Sequence, residues 1–302
     1  MSKNATTFAS QSSLEVLSPK NKEGLKQIEE TVRYQLQDDQ AAQGKTAGYE
    51  RSVQTENLVR EEPVALVFDK DHKIFGTCTP IDLEDYAYGM CFDRGIISQA
   101  SQILSLNYEL QDVLHLINVE LDPSIDIEQA FKNFADASAT PLFKSLDYTE
   151  GLNTLHQYKL ASPPSGIIPL KPQLIIESNE KFYAMQELNK HTGSTHAAAF
   201  VNWEGEVLLV REDLARHCGL TKLIGACLRA EISADQGFVF LSSRCAVELA
   251  LKLAKFGVCL IATVSAPSYS TCCFARANDM TVASYVRDGR FTLYSGAHRI
   301  AL

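Results

Sequence analysis

Strands and helices alternate from residue 195 to the end of the chain, and that alternation predicts an α/β domain: a layered mixed sheet with helices packed on it. A hairpin, a helix and a further strand ahead of residue 122 predict a smaller α+β domain before it, so the fold is α+β overall. Composition sets the boundaries. Residues 1–55 are rich in Ser, Thr, Asn, Gln and charge, and Pro163, Pro164, Pro169 and Pro172 read as a linker. The expected organisation is a polar extension over 1–55, the smaller domain over 56–170, and the α/β domain over 171–302.

Each element follows from local pattern. The 1–55 extension is expected to be mobile, with room for a short helix over Lys22–Gln37. Residues 64–68 and 73–78 alternate as a hairpin around Asp69-Lys70-Asp71-His72. Thr79-Pro80-Ile81-Asp82 reads as a helix start, with Thr79 as cap, Pro80 in the first turn and Asp82 at the positive end. That helix sets Leu83, Tyr86, Ala87 and Met90 on one side, suited to closing the hairpin's open face, and Gly95-Ile96-Ile97 ends it. Residues 116–121 form a further strand. Prolines break 122–175 into loops, with a helix near 126–135.

A helix over roughly 179–190 leads into the turn Thr192-Gly193-Ser194. Strands 197–202 and 206–210 flank the turn Trp203-Glu204-Gly205. There follow helix 213–230, strand 238–241, helix 245–256, strand 258–264, a helix near 270–278, and strands 280–286 and 290–295.

The totals exclude several classes. No apolar run reaches membrane-spanning length, and the first residues lack the apolar core of a signal peptide, so a cytoplasmic protein is expected. Eight cysteines in 302 residues, without a small-secreted-domain pattern, suit a reducing compartment. Net charge is −9 but uneven: residues 61–180 carry 7 basic and 19 acidic groups, whereas 181–302 carry 13 and 10. A mildly basic last third suits an anionic ligand held there. No block of Lys and Arg interleaved with aromatics appears, which argues against nucleic acid as a partner.

The densest chemistry lies at one strand-to-helix junction, Arg211-Glu212-Asp213-Leu214-Ala215-Arg216-His217. Asp213 fits an N-cap, and Leu220, Leu223, Ile224, Cys227 and Leu228 form one apolar face. His217 falls within that face and Arg216 on its flank. Buried charge costs several kcal/mol unless it is paired, so an inward histidine and arginine point to a ligand site. A histidine satisfied by a backbone carbonyl, with Arg216 paired to Glu212 or Asp213, is the structural alternative.

Two strands end in small hydroxyl-bearing loops, Ser242-Ser243-Arg244 and Ser265-Ala266-Pro267-Ser268. In open α/β sheets ligands gather at the carboxyl ends of strands. Ordinary N-capping by Ser242 and Ser265 is the alternative, but Arg244 in a first helical turn would oppose the helix dipole, which favours an anionic partner for it.

Glu212-Asp213-x-x-Arg216-His217 followed by Lys222-x-Ile224-Gly225 resembles the signature of the FdhD family, the formate dehydrogenase accessory sulfurtransferases. Four further stretches in the same order carry the resemblance across roughly residues 57–302. They are Glu62-Pro63-Val64-Ala65-Leu66-Val67, Thr79-Pro80-x-Asp82-Leu83-Glu84, Thr195-His196-Ala197-Ala198, and Ser242-Ser243-Arg244 with Glu248. The signature helix departs from the family in Leu214-Ala215, where Val-Gly is usual, and in Thr221, where aspartate is usual.

The resemblance implies a cytidine-deaminase-like fold for the last domain and a client, the molybdenum bis-guanine-dinucleotide cofactor, for which a GDP-like nucleotide can substitute. It implies a formate dehydrogenase and a cysteine desulfurase as partners, and a homodimer. It places the cofactor against the turn Tyr285-Val286-Arg287-Asp288-Gly289-Arg290, where the arginines suit a pyrophosphate and Tyr285 could stack on guanine; a solvated Asp-Gly hairpin is the alternative. Together with His196, Arg216, His217, Ser243, Arg244 and Ser265 these make the expected cofactor-binding set.

Zinc deamination, the other chemistry of that fold, is excluded. It needs His-x-Glu and Pro-Cys-x-x-Cys, yet His196 is followed by Ala197-Ala198, and no Cys-x-x-Cys occurs, so no zinc or other metal ligand is expected. The same absence touches the family's own chemistry. The segment whose cysteine usually carries persulfide falls near Thr140–Tyr148, and Lys144 and Asp147 stand at the expected cysteine positions. Neither can hold sulfane sulfur, which needs a thiolate. Cys272 and Cys273, adjacent at a helix start, are the substitutes to consider, against the ordinary reading of each as a buried small hydrophobe. Two functions therefore stand at this point: an accessory protein that binds the cofactor and supports its sulfuration, and a paralogue that holds the cofactor or a guanine nucleotide without catalysis.

Overall fold

A computed structural model describes residues 24–36, 49–137, 160–163 and 169–301. Within them lie three sheets. Strands β1 (Leu25–Leu36) and β2 (Tyr49–Val59) pair antiparallel as a two-stranded ribbon. Strands β3 (Glu62–Val67), β4 (Lys73–Cys78), β5 (Ile103–Gln111) and β6 (Leu114–Leu121) form a four-stranded sheet in the order β4-β3-β6-β5, with helix α1 (Leu83–Asp93) between β4 and β5 and α2 (Ile127–Ala137) after β6. Helices α3 (Pro172–Ala184) and α4 (Glu187–Thr192) lead into the last sheet. Its strands are β7 (His196–Asn202), β8 (Val207–Asp213), β9 (Gly237–Leu241), β10 (Leu260–Thr263), β11 (Thr281–Arg287) and β12 (Arg290–Ser295). Helices α5 (Arg216–Arg229), α6 (Val247–Phe256) and α7 (Tyr269–Ala277) alternate with them. No helix among the described residues is long and apolar enough to cross a membrane.

The six-stranded sheet has the order β12-β11-β10-β9-β7-β8 and is mixed, as the alternation predicts. Strands β9, β10 and β11 run parallel; β7 opposes β9, β8 opposes β7, and β12 opposes β11. The two central parallel strands, β9 and β10, are buried from end to end, as strands covered on both faces must be. One face packs Phe200, Val239, Leu241 and Ile261 against Leu220, Leu223 and Ile224 of α5, Leu249 and Leu253 of α6 and Phe274 of α7. The other packs Phe238, Phe240 and Leu260 against Ile175 and Phe182 of α3 and Trp203.

A third core lies under the four-stranded sheet, where Val64, Leu66, Ile117 and Val119 meet Tyr86, Ala87 and Met90 of α1. The hairpin and its covering helix therefore stand where the sequence sets them. The two sheets join where α1 crosses α5. A Cβ at Gly225 would lie 1.8 Å from the Asp85 carbonyl oxygen, and one at Gly89 would lie 1.8 Å from that of Thr221. Only two glycines let these backbones approach so closely.

Several expectations are corrected. The first part of the chain is not wholly an extension: Leu25–Leu36 is a strand, not a helix, and it pairs with Tyr49–Val59. The β-branched and aromatic residues Ile28, Thr31, Val32 and Tyr34 favour strand, and the cross-strand partner satisfies the backbone. Thr79 does not cap α1. The residue at the cap position is Asp82, with φ 53°, and it makes no side-chain cap bond. Thr79 instead works across the junction of the sheets, donating its N–H to Asp213 Oδ2 at 3.0 Å and accepting the Leu214 N–H at 3.1 Å. The 179–190 helix is two helices, broken at Met185–Gln186. Strand β5, whose outer residues are mostly exposed, was absent from the expected set.

Candidate functional site

Topology gathers the candidate residues on one edge. Because β9, β10 and β11 are parallel, Leu241, Thr263 and Ser284 all stand at the carboxyl edge of the sheet. Strand β7 opposes β9, so its first residue, His196, stands there too. Strand β8 opposes β7 and ends at Asp213, paired with His196, and the chain turns at once into α5 with Arg216 and His217 in its first turn.

Hydrogen bonds lace the loops of that edge together. Ser242 donates its N–H to the Ala197 carbonyl at 3.0 Å and accepts the Ala197 N–H on Oγ at 2.8 Å. The Thr263 hydroxyl donates to the Ser243 carbonyl at 2.7 Å and accepts the Ser265 N–H at 3.1 Å. Tyr285 donates its N–H to the Ser265 carbonyl at 3.3 Å. His196, Arg216, His217, Ser243, Arg244, Ser265 and Tyr285 thus belong to one connected rim rather than to separate loops.

The rim is electropositive. His196 is half-buried, and burial, with Arg216 and Arg244 beside it, holds its pKa below the usual histidine value. Arg244 is exposed, and no ion pair forms on it among the described residues. Glu248, in the first turn of α6, accepts from His217 Nε2 at 2.9 Å and from Arg216 at 3.3 Å. Burial pushes the Glu248 carboxyl up, but the bonds from His217 and Arg216 outweigh it and leave the pKa lowered. The Arg216 Nε atom is buried without a hydrogen-bond partner, as is the Ser284 hydroxyl oxygen. Buried polar groups are paired in the great majority of cases, so two orphans along one edge mark places where a ligand's acceptors fit.

Two sequence arguments change here. His217 is not turned into the core: its side chain is 43% exposed and Arg216's 35%. The first turn of α5 stands clear of the packed face that begins at Gly219. Arg244 precedes α6, which begins at Val247, so it does not lie in the helix's first turn. The case for an anion site passes from inward burial to convergence: the arginines of α5 and the β9 loop meet beside His196, where helix dipoles also favour negative charge.

The Tyr285–Arg290 turn lies on the neighbouring strand pair. Ladder pairing breaks between Ser284 and Arg287, and Tyr285 holds φ 57°. A positive φ on a bulky aromatic residue is strained and concentrates at functional sites. Asp288 and Gly289, at φ 53° and 70°, make the tight turn, which sets Arg287 directly opposite Arg290. Like charges directly opposite each other on a ladder destabilise it. The Arg287 guanidinium stacks 5.5 Å from the Tyr285 ring centroid, and a cavity of about 260 Å³ opens among Tyr285, Arg287, Arg290 and Thr292. The Val286 side chain is buried in the core, so only its backbone can face a ligand.

The signature around Glu212 is structural. Asp213 and Lys222 form an ion pair at 2.6 Å with both side chains fully buried, and Lys222 also donates to the Thr79 carbonyl at 2.8 Å. Asp213 does not cap α5; Ala215 occupies the cap position. Glu212 accepts the N–H groups of Leu188 and Asn189 and the Thr195 hydroxyl, each at 2.9 Å, while burial pushes its pKa up. These bonds hold the strand that presents His196.

Lys144 and Asp147 lie outside the described residues. All eight cysteines lie within them and are free. Burial pushes up the thiols of Cys78, Cys91, Cys227 and Cys245 to about 12 and that of Cys218 to about 11, and it raises those of Cys259 and Cys272. Such thiols are poor nucleophiles. Cys273 is half-buried on α7.

A larger cavity, about 660 Å³, opens between α1 and β5, away from the rim. Its charged walls are paired with each other: Arg211 and Arg229 both hold Asp85, at 2.7 and 2.6 Å, and His115 holds Glu62 at 2.6 Å. Among the described residues, the rim rather than this cavity carries an arginine without an ion pair, Arg244, beside the orphaned Arg216 Nε and Ser284 hydroxyl.

Comparison with known proteins gives a consistent result. Residues 59–301 match the FdhD/NarQ family. The sulfur carrier protein FdhD of Cupriavidus necator is 32% identical over 245 residues, covering 81% of this chain and 84% of that protein. The protein of the same name from Burkholderia cenocepacia is 33% identical over 233 residues, covering 76% and 84%. The crystal structure of a Desulfotalea psychrophila protein assigned as a formate dehydrogenase accessory protein superposes with a TM-score of 0.65 at 19% identity, covering 91% of this chain and all of that one. The last comparison speaks to the fold.

Proposed function

The chain belongs to the FdhD/NarQ family, and from that premise we propose that it serves a formate dehydrogenase as an accessory protein that holds the molybdenum bis-guanine-dinucleotide cofactor as cargo. The observation that carries this reading is the electropositive carboxyl edge. His196, Arg216 and Arg244 converge there with the orphaned Arg216 Nε, and Arg287 faces Arg290 beside the strained Tyr285. In this assignment the guanidinium groups of Arg216, Arg244, Arg287 and Arg290 take phosphate oxygens, for which their forked donors are suited. Tyr285 offers a face for a guanine ring, and the Ser243 and Ser265 loops bring backbone groups to the same rim. The bound cargo supplies the metal chemistry; this chain's residues bind and orient it.

The family role also includes supporting sulfuration of that cofactor before its insertion, with a cysteine desulfurase as donor. Here the thiols favour a carrier that holds the cofactor without itself passing sulfur. Seven of the eight are raised by burial, and Lys144 and Asp147 replace the thiols that the family would use. A sulfur-passing role would fall to Cys273, the remaining thiol, on α7 below the Ser265–Ser268 loop. We place the protein in the cytoplasm, where such a desulfurase works, and as a homodimer, both by family resemblance.

Titration with GDP, followed by intact mass and peptide mapping after incubation with a cysteine desulfurase and cysteine, tests the reading. The expected result is nucleotide binding that weakens about tenfold or more in Arg290→Ala, as for a charged hydrogen bond of about 1.5–3 kcal/mol, with no persulfide on any cysteine. A persulfide on Cys273 would restore the sulfur-passing role, and a folded protein indifferent to GDP would overturn cofactor holding.

A further inference from the structure

Glu248 stands where a site for phosphate would least tolerate a carboxylate. It bonds two rim side chains at once, His217 at 2.9 Å and Arg216 at 3.3 Å, across from α6 to the first turn of α5. A carboxylate in the first turn of α6 is well placed for its own helix dipole. Arg216 is badly placed for its own, since a cation opposes the positive end of a helix. An arrangement built for stability would not set an arginine at a helix N-terminus and then offset it with an anion from a neighbouring helix. The exposures point the same way: Glu248 is 43% exposed, His217 43% and Arg216 35%. Solvent-exposed pairs of this kind contribute little to stability.

Arg216 is only partly satisfied by this contact. Its terminal nitrogen reaches Glu248, while Nε is buried with no partner. A planar guanidinium binds an oxyanion best through two parallel N–H bonds, and Glu248 supplies one. Charge completes the argument. Arg216 and Arg244 together face the single charge of Glu248, so the rim keeps a net positive charge even with Glu248 in place.

We propose that Glu248 is an internal counter-anion that occupies one phosphate position of the rim and is displaced when a ligand bearing two phosphate groups binds. Glu248 is then a brake on affinity. Any phosphate that takes its place must break the Glu248 contacts, and a diphosphate regains more than a monophosphate because it also reaches Arg244. The displaced carboxylate turns to solvent, to which it is already partly open. The inference rests on the assignment of the rim as a guanine-nucleotide site and adds what fills the phosphate position when no ligand is bound.

Glu248→Gln tests it, with GDP and GMP titrated against the full chain and the variant by calorimetry, and thermal unfolding recorded for both. Glutamine keeps the shape and a carbonyl acceptor but removes the charge. The expected result is tighter binding in the variant, about tenfold for GMP and GDP alike, with GDP still preferred and little change in melting temperature. Equal or weaker binding of both nucleotides by a folded variant would overturn the inference and make Glu248 a positioning residue for Arg216. Binding of GMP by the variant alone would support it in its strongest form, as a block on the unmodified rim. If neither protein binds either nucleotide, the rim assignment fails, and the inference with it.

Discussion

Lys222 tests whether the signature helix is held by its buried ion pair. The Lys222 ammonium donates to Asp213 at 2.6 Å and to the Thr79 carbonyl at 2.8 Å, and the side chains of Lys222 and Asp213 are both fully buried. Asp213 also accepts N–H groups from Thr79 and Ala215. In Lys222→Met the apolar stem is kept, but Asp213 loses its only charged partner among the described residues, and the Thr79 carbonyl loses a donor. A charged hydrogen bond contributes about 1.5–3 kcal/mol and a neutral one about 1 kcal/mol. Leaving one member of a buried pair uncompensated costs about 3–5 kcal/mol in all. At roughly 2–4 °C per kcal/mol for a protein of this size class, the melting temperature should fall by about 10 °C. Urea unfolding followed by circular dichroism gives the free energy directly. Adding Asp213→Asn should recover about 1–2 kcal/mol, because it removes the stranded charge while keeping an acceptor for one of the two N–H groups, from Thr79 and Ala215, that the carboxylate accepts. A loss below about 1 kcal/mol in Lys222→Met, or no recovery in the double variant, would refute the reasoning.

Gly225→Ala should cost about 1–3 kcal/mol or more, since its methyl group would meet the Asp85 carbonyl oxygen at 1.8 Å and force α1 from α5; a melting temperature equal to that of the parent would show that the crossing relaxes freely. His196 predicts a pH dependence. Its pKa is lowered by burial and by Arg216 and Arg244, so in the free protein the neutral imidazole is favoured, and its contribution to stability is present above about pH 6.5 and lost as pH falls through the lowered folded value. An anion between the arginines relieves the repulsion and raises that pKa, so binding takes up protons and GDP affinity should increase as pH falls from about 8 to about 6. Calorimetry in buffers of different ionisation enthalpy reads the proton uptake, and release of protons instead would contradict the placement of the anion beside His196.

Much of the fold was legible in the sequence because burial on both faces of a sheet leaves unmistakable patterns. Phe238–Leu241 and Leu260–Thr263 are continuous apolar runs, each followed by a helix with one apolar face, and they are strands β9 and β10. The hairpin around Asp69–His72 was equally plain, since its turn residues separate two alternating runs. Strand β5 carries the same signal and was passed over: Leu104, Leu106, Tyr108 and Leu110 alternate with Ser105, Asn107, Glu109 and Gln111, although Leu104, Tyr108 and Leu110 are exposed in the fold. Strand β1 was taken for a helix because its charges, Lys26, Glu29, Glu30 and Arg33, suit either state, and only the partner strand decides.

The site was legible in its residues and less so in its reasons. Arg216, His217 and Arg244 do stand on the carboxyl edge, where strand ends were expected to gather them. The argument from an inward His217 fails, however, because helical periodicity does not show where on the helix packing begins. The roles of Glu212, Asp213 and Lys222 were hidden for a related cause. A charged motif reads alike whether it meets a ligand or a distant backbone, and Thr79 and Leu188 are brought to it only by the fold. Glu248 was named with Ser242-Ser243-Arg244, but its pairing with α5 is a contact that no local spacing reveals.

The most direct test of cofactor holding is to purify the full chain under anaerobic conditions from cells that assemble a molybdenum formate dehydrogenase, and to quantify molybdenum and acid-released guanine nucleotide in the product. The account predicts that both co-purify, with two guanines for each molybdenum, and that both are lost together in Arg216→Ala and Arg290→Ala variants that remain folded. Folded protein that carries neither, or retention unaffected by either substitution, would contradict the assignment of the carboxyl edge as the place where the cofactor is held.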